Sequence, residues 1–80
     1  MKKMDNKKLL IALGQKIRSY REEKKLRQGD LAKLCGVHRN WVCNIENGLM
    51  NPSVLLIKKV ADVLNVSVDE LLKGGLLIIS

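Results

Sequence analysis

Apolar residues recur at intervals of three and four from the start of the chain, at Leu10, Leu13, Ile17 and Tyr20, with charged residues between them. That spacing lays one apolar stripe along an α-helix and predicts a first helix from a cap at Asp5 or Asn6 to about Lys24. Gly14 interrupts the stripe at a cost of about 1 kcal/mol relative to alanine, which leaves close packing or fraying as its explanation. Leu31, Ala32 and Cys35 predict a second helix over Gln28–Cys35, and Val42 and Ile45 a third over about Arg39–Glu46. Pro52 disfavours helix at Asn51, and Ser53 caps a fourth helix running to about Leu64. A short fifth helix has Ser67 as its cap and Glu70 as the reciprocal capping-box partner, and it stops at Gly74. The chain closes on Leu76, Leu77, Ile78 and Ile79, an apolar, β-prone run. The expected fold is all-α, a compact five-helix domain with a possible short C-terminal strand. It divides into an N-terminal extension (1–8), the domain (9–73) and an apolar tail (74–80).

The second and third helices are joined through a single glycine. Gly36 takes a positive φ at low cost, ending one helix and turning the chain sharply into the next, and small Ala32 lets the two helices cross closely. On the third helix Val42 and Ile45 share the inward face, while His38, Arg39, Asn40, Cys43, Asn44 and Asn47 fall on the other side. Forked and paired donors of this kind read base edges in a major groove. The pattern predicts a helix-turn-helix.

Charge supports a polyanionic partner: 15 Lys and Arg stand against 8 Asp and Glu, a net charge of +7. Tyr20 and Trp41 are the only large aromatic side chains, too few to stack successive single-stranded bases, so duplex DNA is the better fit. Cys35 and Cys43, with one His nearby, make neither a disulfide framework nor a metal site; Cys35 is expected to be a small buried apolar residue. No paired carboxylates beside a nucleophile and no phosphate-cradling glycine loop occur, so no enzyme, cofactor or small-molecule substrate is expected. The run LLIAL is too short for a signal core or a membrane span, and a cytoplasmic location without membrane association is expected.

From about Leu13 to Leu72 the chain resembles the Cro/C1-type (Xre) helix-turn-helix family of bacterial and phage regulators, whose domain is lambda-repressor-like. The resemblance rests on Gln28, Leu31, Ala32 and Gly36, then Ile45, Glu46, Asn47 and Gly48, the loop Asn51-Pro52-Ser53, and Val66 to Leu72. It implies that Gln28 touches a phosphate and that Arg39, Asn40 and Asn44 face the bases. It also implies that Arg21 pairs with Glu46; the alternative is two ordinary solvated charges. The stretch His38–Val42 is similar to the H-R-T-Y-I of restriction-modification controller proteins, a branch of the same family, though Asn40 and Trp41 depart from it.

Arg39 is the expected guanine reader, with a phosphate contact as its alternative. Asn40 and Asn44 suit adenine, or stand as solvated amides. His38 serves as a cap or a phosphate contact. Trp41 can pack beside the third helix, donate its indole N–H to a phosphate or touch a thymine methyl, and a partly exposed indole near the backbone is expected. Arg27 replaces the family's frequent Ser or Thr cap, adding charge near the phosphate, and Cys43 and Asn47 complete the expected phosphate face.

One recognition helix reads too few base pairs to select a site, which implies a homodimer on double-stranded DNA. Leu55, Leu56, Leu76, Leu77, Ile78 and Ile79 are the expected dimer contacts, with Val63 and Leu71 adding apolar surface; a loose terminus is the alternative for the tail. The expected function is sequence-specific transcription regulation. Two rivals are an antitoxin-type protein-interaction module on the same fold and charge-driven coating of any DNA.

Overall fold

The computed structural model describes residues 6–72, and the tail Leu76–Ile79 with its possible strand lies outside them. Helices α1 (Asn6–Glu23), α2 (Gln28–Cys35), α3 (Arg39–Glu46) and α4 (Val54–Leu64) are followed by helical residues 68–72, which form α5. The described residues contain no strand, and no helix among them is long and apolar enough to cross a membrane. Helix α3 packs on α1 and α2, and α4 closes the other side against α2 and α1.

The core takes one stripe from each helix: Leu13 and Ile17 from α1, Leu31, Ala32 and Cys35 from α2, Val42 and Ile45 from α3, Leu56, Val60, Ala61 and Leu64 from α4, and Leu71 from α5. This corrects the expectation for Leu56, which is 7 % exposed and belongs to the interior, as does Leu71 at 0 %. The reason is the helical period: Leu56, Val60 and Leu64 stand four apart on the inward face of α4, and Leu55, one position away, is 79 % exposed.

One device ends each of the first four helices. A left-handed residue, Lys25, Gly36, Gly48 or Asn65, follows the helix. The next N–H then reaches back five residues: Leu26 to Arg21 O (3.1 Å), Val37 to Ala32 O (2.9 Å), Leu49 to Asn44 O (2.9 Å) and Val66 to Ala61 O (3.0 Å). These bonds satisfy carbonyls that a helix end would leave open and turn the chain sharply. The starts are capped differently. Ser53 Oγ accepts from Leu56 N–H at 3.2 Å, and Ser67 Oγ from Glu70 N–H at 3.0 Å. The Glu70 carboxylate also accepts from Tyr20 Oη at 2.7 Å, which ties α5 to α1 and raises the Tyr20 pKa, because the phenol must give up that hydrogen bond to ionise.

Gly14 is explained by close approach. A Cβ there would lie 2.6 Å from the Glu46 carbonyl oxygen and closer still to that of Ile45, so α1 seats directly on the C-terminal end of α3. Gly48 is tight for the same reason, with the backbone of Ile11 3.1 Å from where its Cβ would be.

Candidate nucleic-acid interface

Helix α3 divides cleanly into two faces. Val42, Ile45 and Glu46 are buried, while Arg39, Asn40, Trp41 and Asn47 are exposed and Cys43 and Asn44 are half-buried. Trp41 leaves 42 % of its surface open, which removes the fully packed reading of the indole. His38 is the N-cap of α3, its Nδ1 accepting from Asn40 N–H at 3.5 Å, the long limit of such a bond. Asn47 Nδ2 donates to Cys43 Sγ at 3.5 Å. Cys35, by contrast, is in the core, and burial pushes its thiol pKa up against a smaller opposing pull from Lys59. That thiol is packing, with little thiolate to react.

The exposed start of α3 faces the start of α2 across a depression of about 500 Å³ lined by Arg21, Arg27, Gln28, Gly29, Asp30 and Arg39. Arg39 runs alongside Gly29: its Cδ would lie 3.9 Å from a Cβ placed on that glycine. Gln28, Arg27 and Arg39, which the sequence places on separate segments, thus share one basic recess. Asn40, Trp41 and Asn44 continue from it along α3.

Beneath this surface lies a buried ion pair. Glu46 Oε2 accepts from Arg21 Nε at 2.6 Å, Glu46 Oε1 accepts from Arg21 Nη2 at 3.0 Å, and Arg21 Nη1 donates to Leu26 O at 2.7 Å. The side chains are 9 % and 2 % exposed, so two solvated charges are not what is present. The carboxylate's hydrogen bonds raise the Arg21 pKa further above its ordinary value and outweigh the opposing effect of burial. Two parallel bonds to a planar fork fix the geometry as well as the charge.

Two features of the site were not foreseen, one a residue and the other a contact. Asp30 accepts from the backbone N–H of Arg27 at 2.9 Å and from its Nε at 3.2 Å, so the start of α2 is capped by the residue three positions into the helix. The signal was a carboxylate in the first helical turn. The second is the role of Glu46 toward Gln28, whose Nε2 donates to Glu46 Oε1 at 3.1 Å. Eighteen residues separate the pair, and no local pattern announces it.

Residues 17–71 match the helix-turn-helix family HTH_3. The transcriptional regulator SinR of Bacillus subtilis is 43% identical over 61 residues, covering 75% of this chain and 55% of SinR, so the chain spans about half the length of that relative. Among solved structures, the restriction-modification controller protein C.AhdI from Aeromonas hydrophila superposes with a TM-score of 0.75 at 39% identity, over 78% of this chain and 94% of that one. SinR in complex with DNA superposes at 0.72 with 43% identity, over 75% and 97%. The resemblance to the controller branch is therefore borne out by a solved relative. With its glycine turn, its divided α3 and a match across most of its length, the chain belongs to the Cro/C1-type (Xre) helix-turn-helix family of DNA-binding transcription regulators.

Proposed function

We propose that the chain is a homodimeric regulator that binds double-stranded DNA sequence-specifically and reads a two-fold symmetric operator through α3. The observation that carries this reading is the division of α3: an inward face locked into the core and an outward face of Arg39, Asn40, Trp41 and Asn44 beside a basic recess. Arg39 reads guanine, and Asn40 and Asn44 pair with adenine edges. Gln28, Arg27, His38, Trp41, Cys43 and Asn47 set the register on the phosphates. The solved complex of SinR with DNA, on the same fold at 43% identity, supports this assignment.

Dimerisation supplies the information that one helix lacks. Leu49, Val54 and Leu55, exposed by 73 %, 80 % and 79 %, are the most open large apolar side chains among the described residues. The tail Leu76–Ile79 remains part of the proposal without a described position. Footprinting on the DNA upstream of the chain's own gene tests the reading. Two protected half-sites about one helical turn, ~10 base pairs, apart centre to centre are expected, with binding that weakens steeply as salt rises. Equal protection of any sequence, or a flat salt dependence, overturns it.

A further inference from the structure

A carboxylate has no proton to donate at neutral pH, so the atom of Gln28 that faces Glu46 is its nitrogen, and the orientation of the amide is dictated rather than free. Both oxygens of Glu46 are engaged: Oε2 is held by Arg21 Nε, and Oε1 is shared by Arg21 Nη2 and Gln28 Nε2. Arg21 spends one N–H of each of its three nitrogens, two on Glu46 and one on the Leu26 carbonyl. Gln28 spends one of its two amide N–H groups on Glu46 and keeps the other, and it lines the basic recess between α2 and Arg39. A phosphate accepts hydrogen bonds and offers none, so an amide presenting its oxygen there would repel it.

On the DNA-binding reading proposed above, we infer that Glu46 is a positioning residue for Gln28: it fixes the amide with nitrogen inward, so that the second N–H is presented to a DNA phosphate. Arg21 serves the same end. By neutralising Glu46 it removes the negative charge that would otherwise stand at the recess and oppose the phosphate. The buried pair therefore both holds α3 on the scaffold and sets a donor at the DNA surface, and a purely structural pair would do only the first.

The probe is a duplex selected from a random-sequence pool by the unaltered full chain. Chains carrying Gln28→Ala, Glu46→Gln and both changes are compared at a temperature where circular dichroism shows each to be folded. If Glu46→Gln alone does not fold, Arg21→Met with Glu46→Gln, which removes both buried charges together, takes its place. Gln28→Ala is expected to weaken binding about tenfold, and adding the change at position 46 should weaken it little further. Ethylation interference supplies the readout that a structural role would not move. One phosphate whose ethylation blocks the unaltered chain should lose its effect in both the Gln28 and the Glu46 variants. Retention of that interference in the Glu46 variant, or losses that multiply in the double variant, overturns the positioning role. If the unaltered chain selects no duplex, the DNA-binding reading fails, and the positioning role with it.

Discussion

At the C-terminal end of α3, Glu46 is held by three hydrogen bonds and the carbonyls of Ile45 and Glu46 lie against Gly14 of α1. At its N-terminal end, Arg39, Asn40 and Trp41 stand in solvent and the cap is a 3.5 Å contact to the His38 ring. Within its eight residues α3 runs from an open end to a constrained one. A side chain that must meet a base edge within a few tenths of an ångström cannot stand on a mobile helix, yet it cannot itself be packed. Fixing the helix by its far end meets both demands.

The comparison breaks most forcefully at Glu46. Glu46→Ala leaves the Arg21 guanidinium buried without its counter-charge, which typically costs about 3–5 kcal/mol and lowers Tm by roughly 15 °C or more in a domain this small. Thermal unfolding followed by circular dichroism measures it, and a Tm within experimental error of the parent would show that the far end is not held by this pair.

Gly14 tests the same end by geometry alone. Alanine is the better helix former by about 1 kcal/mol, but at this position its Cβ would meet backbone carbonyls of α3, which cannot swing aside as a side chain could. Gly14→Ala should therefore destabilise by about 1–3 kcal/mol, against its propensity. Gly29→Ala, where the nearest atom is Arg39 Cδ at 3.9 Å, should be neutral or stabilise by about 0.4–1 kcal/mol. Urea titration of both chains gives the two signs, and equal signs would erase the distinction between the ends.

At the open end the expected effect moves from stability to affinity. Arg39→Ala should leave stability within about 0.5 kcal/mol while weakening binding to a selected duplex by about 1–3 kcal/mol and relaxing discrimination at one base pair. Fluorescence anisotropy against the duplex and its single-base variants separates loss of a base reader from loss of a phosphate contact, since the latter weakens all sequences alike.

The two ends also differ in how legible they were. Helix bounds for α2, α3 and α4, the turn at Gly36 and the open face of α3 follow from local spacing and caps, which depend on residues three or four apart. Two of the helix ends use Lys25 and Asn65 in the left-handed conformation, where no glycine marks the position. The fixed end depends on contacts between distant segments. Gly14 against Glu46 and Gln28 against Glu46 leave no periodic trace, and family resemblance supplied Arg21 with Glu46 where spacing could not. Leu55 and Leu56 are adjacent and both apolar, which suggests one shared surface, yet the helical period sends the first outward and the second into the core.

Asp30 offers the smallest and most pH-specific test, since it borders the open end while capping α2. The backbone N–H of Arg27, and then its side chain, hold this carboxyl below the ordinary carboxylate range. A group that binds its proton less tightly when folded adds stability that is complete above the unfolded value, about pH 4, and is lost as the pH falls through the lower folded value. Asp30→Asn keeps an acceptor for the Arg27 N–H but has no charge to lose. Its Tm should lie slightly below the parent at pH 7, and the two curves should converge as the pH falls below about 4. The same change removes a negative charge from a recess lined by three guanidinium groups, so duplex binding at pH 7 should tighten modestly, and more at low salt than at high. Parallel acid limbs in the two chains would show that the carboxylate adds nothing to the cap, and unchanged affinity would place the phosphate path away from the recess.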